Sequence, residues 1–376
     1  MSVLLMYGGK SCEHDISVIT GKQAAANIKK DFHEVFVSKE GKWLLADEMK
    51  NISDFSNAKK ISRLPQVILV AGEKKLFKLK GKKLLPFCEV DAALLCFHGE
   101  NGEDGCVQGL LEMCEIPYTS CGVTSSALCM DKISAKAMLK GFDFPVVEGI
   151  SLEKSFFEQN FRQCESEIRQ KLGYPVIVKP SKLGSSIGIS VCEDENYFAD
   201  AMKLALGFDD RVLVEKALTN FCDINVSVLK KDGEIIVSQA EKPASLKNFL
   251  TFEEKYLEGG KGMSGLKREF PFENEKTEAI KDIAKKVYSS LNCFGVVRID
   301  FLIDFDSGKI FVNEINTIPG SLSFYLWKDV FGFGSLLDVL LDEAKKRTAE
   351  KQKLLRRFES SVLSGASGGK IKGRKF

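Results

Sequence analysis

Residues 295–320 read Gly295-Val-Val-Arg-Ile-Asp-Phe-Leu-Ile303, Asp304-Phe-Asp-Ser-Gly308 and Lys309-Ile-Phe-Val-Asn-Glu-Ile-Asn-Thr-Ile-Pro-Gly320. The two flanks are rich in Val, Ile and Phe, which favour strands. The middle is Asp, Ser and Gly, which is typical of a hairpin turn. This segment therefore predicts an antiparallel β-hairpin, and the rest of the chain can be organised around it.

The predicted hairpin carries acidic and amide side chains at positions that suit a metal site. Side chains alternate faces along a strand, so Arg298 and Asp300 share one face, and Glu314 and Asn316 share the matching face of the second strand. A turn at the Asp-Ser-Gly segment places Asp300 opposite residues 312–314. Carboxylates packed together repel unless a cation or a proton lies between them. Oxygen ligands with an open coordination position suit Mg²⁺ together with substrate phosphates; the alternative is two solvated acids on an exposed face.

The composition limits the class of protein. The 376 residues allow two or three domains, and a formal charge of +2 gives no electrostatic bias towards nucleic acid or membrane. No apolar run is long enough to span a membrane. Eleven cysteines, an odd number without a Cys-x-x-Cys pair, favour buried thiols in a reducing cytoplasm over a disulfide framework. His14, His33 and His98 are not at zinc-ligand spacings.

Two glycine-rich loops follow buried strands in the N-terminal part. Ser2–Tyr7 leads into the loop 8–17, and Val90–Phe97 leads into the loop 98–105. A strand, a glycine loop and a helix begin an open α/β sheet, and such loops bind ligands. The glycines do not form a dinucleotide fingerprint. Glu13 in the first loop is either a ligand-binding carboxylate or an acid that complements a helix dipole.

Periodic and irregular segments alternate along the chain. The segment 33–86 has short strand-like runs and resembles a β-rich insertion. The segment 247–270 is a long polar loop, which predicts a lid. A short strand is predicted at 145–149. Helices are predicted at 18–30, 106–114, 130–139, 153–172, 196–206, 275–291 and 336–358.

A phosphate-binding loop is predicted between two strands at residues 174–191. Backbone N–H groups and hydroxyls of Gly184-Ser-Ser186 can cradle phosphates, with Lys179 supplying charge. A strand follows the loop, so it is not a Walker A motif, and a plain hairpin is the alternative. Lys132 lies in the first turn of a predicted helix, where a cation opposes the dipole. A local inconsistency of this kind can mark a functional residue, and the alternative is an ordinary surface lysine.

Together these motifs resemble the ATP-grasp superfamily, and within it the D-alanine–D-alanine ligases, from Gly8 to about Leu337. The matching segments are Gly8-Gly-Lys-Ser-Cys-Glu-His-Asp-Ile-Ser17, His98-Gly-Glu-Asn-Gly-Glu-Asp-Gly105, Met130-Asp-Lys132, Val178-Lys-Pro-Ser181, Gly184-Ser-Ser-Ile-Gly188, Glu254-Lys-Tyr256, Arg298-Ile-Asp300 and Asn313-Glu-Ile-Asn-Thr-Ile-Pro-Gly320.

The resemblance implies a three-domain α/β ATP-grasp ligase with an N-terminal open parallel sheet. Residues 1–120 would form the N-terminal α/β substrate domain and 121–214 the central domain with the phosphate loop. Residues 215–358 would form the C-terminal domain with the lid and the metal site, and 359–376 a disordered tail.

The resemblance also implies a reaction. ATP would phosphorylate the carboxylate of one D-alanine, and the amine of a second D-alanine would attack the acyl phosphate. The dipeptide would serve peptidoglycan precursor synthesis, and hence cell wall and cell shape. The implied cofactor is Mg²⁺ or Mn²⁺, as two ions, with ATP as co-substrate. A homodimer in the cytoplasm is implied, with no nucleic-acid or membrane partner.

Residue roles follow from the same resemblance. The catalytic residues would be Glu13, Ser185, Tyr256, Arg298 and Gly320. The ATP-binding residues would be Lys132, Lys179, Ser185, Ser186, Glu215, Asp223 and Lys255. The metal ligands would be Asp300, Glu314 and Asn316. The substrate contacts would be Glu13, His98, Arg298, Ser323 and Tyr325.

Three departures concern substrate contacts more than chemistry. Tyr325 stands where many relatives place a serine for the second substrate's carboxylate, and either Tyr325 or Ser323 would replace it. Asp223 stands where many relatives have a glutamate for ribose. Leu250 and Phe252 replace lid tyrosines of some relatives.

Three alternative functions stay open. The first is a D-alanine–D-serine ligase. A D-alanine–D-lactate ligase is less well supported, because Glu254-Lys-Tyr256 resembles the dipeptide formers. The second is another ATP-grasp carboxylate–amine ligase with a different acid. The third, of another class, is a non-catalytic nucleotide-binding sensor, which retention of the phosphate and metal residues disfavours.

Overall fold

The computed structural model describes residues 2–243 and 269–355. The strands are β1 (Ser2–Gly8), β2 (Phe32–Val37), β3 (Trp43–Leu45), β4 (Val67–Leu69), β5 (Lys75–Lys80), β6 (Lys83–Leu95), β7 (Gly149–Glu153), β8 (Val176–Pro180), β9 (Ser190–Cys192), β10 (Arg211–Lys216), β11 (Phe221–Lys231), β12 (Glu234–Val237), β13 (Val297–Asp304) and β14 (Ile310–Asn316). The helices are α1 (His14–Ala25), α2 (Ala58–Ile61), α3 (Cys106–Met113), α4 (Val123–Met130), α5 (Lys132–Gly141), α6 (Lys154–Gln159), α7 (Phe161–Lys171), α8 (Phe198–Ala205), α9 (Thr277–Ser290) and α10 (Phe333–Gln352).

The N-terminal sheet has six strands in the order β3-β2-β1-β6-β5-β4. Its centre is parallel, as predicted, because β1 pairs in parallel with both β2 and β6. The predicted insertion is not separate from this sheet, since it supplies the antiparallel outer strands. Helix α1 packs tightly on β1, and a Cβ on Gly21 would lie 2.4 Å from the Tyr7 ring. The carboxyl ends of β1 and β6 therefore bring the two glycine-rich loops together.

Two antiparallel sheets follow, with strand orders β7-β10-β8-β9 and β12-β11-β13-β14. In the second, Asp300 lies opposite Glu314 and Arg298 lies opposite Asn316, with a bulge after Asp300. The predicted hairpin and its register are confirmed. The structure thus places both carboxylates and the amide on one face of the sheet.

Three hydrophobic clusters form the core. One lies around the N-terminal sheet and includes Trp327 and Leu337 from the C-terminal part. The second joins α9 to the hairpin sheet and includes Leu139 of α5. The third fills the space between the central sheet and helices α7 and α8. The domain limits expected at 120, 214 and 358 stay predictions.

The structure corrects several predicted element boundaries. The helix expected over 130–139 breaks at Asp131, whose side chain caps α5 by accepting from the Ser134 N–H at 2.8 Å. The helix expected over 153–172 breaks at Asn160, between α6 and α7. The prediction of a strand at 145–149 was wrong, because the residues that pair with β10 are Gly149–Glu153.

Two further expectations concern residues outside the described ranges. Most of the predicted lid, with Lys255 and Tyr256, lies between residues 243 and 269, and the tail 359–376 lies beyond residue 355. Within the described ranges, no helix has the length and apolar character needed to cross a membrane.

Candidate active site

A cleft of about 620 Å³ lies between the N-terminal loops, the β8–β9 loop and the β13–β14 hairpin. It is lined by Glu13, His98, Lys132, Lys179, Ser185, Ser186, Glu215, Asp223, Arg298, Asp300, Glu314, Asn316, Gly320 and Tyr325. Of the predicted site residues that the structure describes, only Ser323 is absent from this lining. Residues separated by up to 312 positions therefore meet at one surface.

Glu13 lies at one end of the cleft, at the N-terminus of α1, and is only 6% exposed. The Ser185 hydroxyl donates to its carboxylate. A Cβ on Gly184 would lie 2.7 Å from a Glu13 oxygen, so the phosphate loop can approach this closely only with glycine there. Burial raises the pKa of Glu13, and the nearby Glu103 carboxylate raises it further, against the opposing effects of His98 and Ser185. A cationic ligand would favour the ionised form.

The Gly184-Ser-Ser186 loop has the backbone of a ligand-binding turn. Ser185 and Ser186 have φ of 53° and 60°, in the left-handed region that non-glycine residues rarely adopt. The Ile187 N–H donates to the Gly184 carbonyl at 3.1 Å, which closes the turn. Backbone strain of this kind concentrates at ligand sites. The loop contacts Glu13 through the Ser185 hydroxyl.

Lys132 connects this loop to the hairpin. Its ammonium donates to the Leu183 carbonyl at 2.6 Å and lies 3.0 Å from a Glu314 oxygen. These two partners satisfy a cation placed at the first turn of α5, where the helix dipole opposes it. The position that sequence analysis marked as inconsistent is therefore on the cleft wall.

The other end of the cleft holds a buried ion cluster around Glu215. Its carboxylate is 1% exposed, and one oxygen lies 2.5 Å from the Lys179 ammonium while the other pairs with Lys136. Burial alone would raise the pKa of Glu215, but the two lysines outweigh it and lower that pKa to about 2. Glu215 is therefore anionic at neutral pH. Asp223 lines the cleft on the neighbouring β11.

The hairpin carries the predicted metal ligands. Arg298 donates to both Asp300 oxygens, at 2.7 and 2.8 Å, and the Asn316 amide donates to Asp300 at 3.1 Å. Among the described residues no group of three His, Cys, Asp or Glu side chains could hold a metal ion. The donor set here is two carboxylates and one amide, all oxygen donors, so other oxygens must complete the shell. This set fits Mg²⁺ shared with substrate phosphates.

The segment Gly320–Trp327 contributes Gly320, Ser321 and Tyr325 to the cleft wall. The Ser321 N–H donates to the Thr20 hydroxyl at 3.1 Å, and Thr20 is hydrogen-bonded to His98 at 2.9 Å. Tyr325 lines the cleft, whereas Ser323 is fully buried behind it. Of these two candidates for the second substrate's carboxylate, Tyr325 is the one on the cleft surface.

Sequence reasoning missed three cleft residues. Lys136 lies four positions after Lys132, a spacing that puts both on one helix face. Glu103 lies in the second glycine-rich loop and accepts the Ile318 N–H at 3.1 Å. Glu241 is buried on the cleft wall beyond β12, and no local pattern marks it. The first two could have been found from helical spacing and from the loop already selected.

The lysine-bearing central sheet and the acidic hairpin, facing each other across a cleft, define an ATP-grasp ligase. Two family models match: the D-ala D-ala ligase N-terminus over residues 2–121 and the D-ala D-ala ligase C-terminus over residues 138–332. The chain belongs to the D-alanine–D-alanine ligase family.

Similar proteins agree with this family. A D-alanine–D-alanine ligase of Thermosipho melanesiensis is 38% identical over 359 residues, covering 94% of this chain and 96% of that protein. One of Caldicellulosiruptor bescii is 36% identical over 372 residues, covering 94% and 98%. The solved D-alanine–D-alanine ligase of Coxiella burnetii is similar with a TM-score of 0.74 at 25% identity, covering 95% and 97%. The VanG D-Ala:D-Ser ligase of Enterococcus faecalis has a TM-score of 0.76 at 27% identity, covering 91% and 99%.

Proposed function

We propose that this cleft joins two D-alanine molecules at the expense of ATP, with its residues in the roles given below. The observation that carries the assignment is that Lys132, Lys179 and the Ser185–Ser186 loop line the same cleft as the hairpin carboxylates, with Lys132 lying 3.0 Å from Glu314. Phosphoryl transfer needs positioned cations and a divalent-ion site more than covalent chemistry from the protein. Membership of the family supplies the substrate class.

The nucleotide would lie between the central sheet and the hairpin sheet. Lys132 and Lys179 would contact its phosphates, and the hydroxyls of Ser185 and Ser186 would donate to them. The predicted lid lysine, Lys255, would reach the same phosphates. Glu215 and Asp223 line the opposite end of the cleft, where the adenine and ribose would lie.

The metal ligands would be Asp300, Glu314 and Asn316, holding Mg²⁺ or Mn²⁺ as two ions. When bound, divalent cations offset the negative charge on the transferring phosphoryl group. In the protein alone, Arg298 and Lys132 neutralise these carboxylates. Arg298 and Lys132 would thus be placed to contact substrate oxygens beside the metal ligands.

The chemistry would proceed in two displacements. A carboxylate oxygen of the first D-alanine attacks the γ-phosphorus, and ADP leaves. The amine of the second D-alanine attacks the resulting acyl carbon, loses a proton, and inorganic phosphate leaves. Arg298 and the Gly320 N–H would stabilise the tetrahedral intermediate, and removing one such donor typically costs about 10²–10³ in kcat.

The substrate contacts would lie at the Glu13 end. Glu13 would pair with the ammonium of the first D-alanine, and Ser185 and the lid residue Tyr256 would form a hydrogen-bonded set with it. His98 would line the pocket. Tyr325 would contact the second carboxylate, with Ser323 behind it. We also propose a cytoplasmic homodimer, on the strength of the family.

Phosphate release from ATP and Mg²⁺ tests this function, with D-alanine, L-alanine, D-serine and D-lactate supplied singly and in pairs. We expect release with D-alanine alone and D-alanyl-D-alanine as product. Release only when D-alanine is paired with D-serine would favour the D-alanine–D-serine alternative. The chain is also similar to the VanG D-Ala:D-Ser ligase, so this alternative is included in the test. No stimulation by any D-substrate would overturn the proposed function.

A further inference from the structure

The Glu215 cluster contains one more lysine than the predicted roles use. Lys136 is 6% exposed and Lys179 is 9% exposed, and both pair with the same buried carboxylate. Two cations therefore contact one buried anion. A second lysine is costly to bury, because burial penalises its charged form and lowers the pKa of Lys136 even though Glu215 opposes that effect.

The two lysines use different oxygens of Glu215. Lys136 approaches Oε1 from helix α5, and Lys179 approaches Oε2 from strand β8, while Glu215 lies on β10. Because the contacts are separate, one lysine can move away while the other keeps the carboxylate paired. An unpaired carboxylate at 1% exposure would be strongly unfavourable. If only one of the two lysines were present, the cost of leaving Glu215 unpaired would keep that lysine bound to Glu215.

We propose that Lys136 is a positioning residue that keeps Glu215 neutralised and in place while Lys179 turns from Glu215 to the nucleotide's phosphates. This inference rests on the proposed function, in which Lys179 contacts phosphate. Without Lys136, binding a phosphate through Lys179 would leave a buried carboxylate without a cation. The free-energy cost of leaving the Glu215 carboxylate unpaired would therefore weaken phosphate binding and not adenine binding.

The test compares nucleotides that share adenine but differ in phosphate. Affinities of the purified full-length protein for ATP, ADP and adenosine are measured by calorimetry with Mg²⁺ and without D-alanine. In Lys136→Met we expect ATP and ADP to weaken at least about tenfold, which is about 1.4 kcal/mol. The affinity for adenosine should stay within about threefold of the wild-type affinity.

Three variants control the comparison. Lys136→Arg keeps the charge and should restore most of the ATP affinity. Lys140→Met changes an exposed lysine of the same helix and should leave all three affinities unchanged. In a Glu215→Gln background the buried anion is gone, so Lys136→Met should cost little further phosphate affinity. If Lys136→Met does not fold, Lys136→Gln is used for the same comparison of ATP, ADP and adenosine.

Two results would overturn the inference. Equal loss of ATP and adenosine affinity would mean that Lys136 shapes the adenine pocket. Unchanged affinities with a lowered melting temperature would mean a structural role only. Failure of the proposed function would look different, because wild-type protein would then bind nucleotide without forming dipeptide, or would not bind it.

Discussion

Glu13 and Glu215 are two buried carboxylates at opposite ends of one cleft, with exposures of 6% and 1%. Burial raises the pKa of both, yet the outcome differs. The pKa of Glu215 is lowered to about 2 because Lys136 and Lys179 contact it. The pKa of Glu13 stays raised, because burial and the Glu103 carboxylate outweigh the lowering effects of His98 and of the Ser185 hydroxyl. Burial alone therefore does not decide the charge of a carboxylate.

The two carboxylates differ in the source of the cation that neutralises them. Glu215 receives its cations from the protein, so it is part of a built scaffold. Among the ion pairs of the described residues, none joins Glu13 to a lysine or an arginine. A buried acid of this kind gains most from a cation that arrives with the substrate, such as the ammonium of D-alanine. On the proposed roles, the nucleotide end would be neutralised by the protein itself, and the substrate end would be neutralised by its ligand.

The largest expected effect is on stability, in Glu215→Gln. Removing this carboxylate leaves two buried lysines without their anion, which should lower the free energy of unfolding by about 3–5 kcal/mol. Glu13→Gln should leave that free energy unchanged or higher, because it removes a carboxylate whose charged form is disfavoured. Urea unfolding followed by circular dichroism measures both. Equal loss of unfolding free energy in the two variants would contradict the difference proposed between Glu215 and Glu13.

Next in size is the effect of Glu13→Gln on catalysis. Losing the partner of the substrate ammonium should lower kcat/KM for D-alanine by about 10²–10³, a range typical of losing one strong electrostatic contact. The dissociation constant for ATP should not change, because Glu13 lies at the other end. Glu100→Gln, on the exposed side of a neighbouring loop, is the matched control and should match wild type. A change confined to ATP affinity would contradict the assignment.

The pH dependence follows from the raised pKa of Glu13. Only the ionised form pairs with an ammonium, so D-alanine binding should weaken about tenfold per pH unit below that pKa. The window lies above the ordinary value of 4.5. Calorimetric titration with D-alanine across this window measures it, and Glu13→Gln should abolish the pH dependence. A flat profile in wild type would show that Glu13 has no part in binding.

Stability should shift in the opposite direction over the same window. A raised pKa means that the folded protein holds this proton more tightly, so the contribution is full below 4.5 and lost as pH rises through the raised pKa. For Glu215 the lowered pKa gives stability above 4.5 that is lost as pH falls towards about 2. Unfolding curves of the two Gln variants against wild type separate these contributions.

The smallest expected effect concerns the second substrate. Tyr325→Phe removes one hydroxyl from the cleft wall and should raise the KM for the second D-alanine about fivefold, as for a hydrogen bond of about 1 kcal/mol. Ser323→Ala should leave that KM unchanged, because Ser323 is fully buried and does not line the cleft. Initial rates over a D-alanine series measure both. The reverse ranking would assign the carboxylate contact to Ser323.

Local pattern was enough for the parts of the site that lie on one hairpin or loop. The alternation of Arg298, Asp300, Glu314 and Asn316 around a short turn fixed their shared face, and the structure has that register. A strand pattern with a Gly-Ser loop likewise predicted the turn at Ser185 and Ser186. In both cases the chemistry is carried by residues close in sequence.

Long-range packing explains what the sequence did not reveal. Lys136 looks like any charged residue on an amphipathic helix, and only the burial of Glu215 on β10 gives it a role. The break at Asp131 interrupts a continuous helical pattern because that side chain caps α5. Residues 321–323 adopt φ of 50–52° and Ser323 is fully buried, and no local sequence motif indicates either feature.

The most direct test of the account is the fate of the carboxylate oxygens of the first D-alanine. D-alanine labelled with ¹⁸O in its carboxylate is converted with ATP and Mg²⁺, and the released phosphate is analysed by mass spectrometry. Attack of that carboxylate on the γ-phosphorus predicts one ¹⁸O in phosphate for each dipeptide formed. Dipeptide formation with unlabelled phosphate would contradict an acyl phosphate, and with it the placing of Lys132, Lys179 and the hairpin around one transferring group.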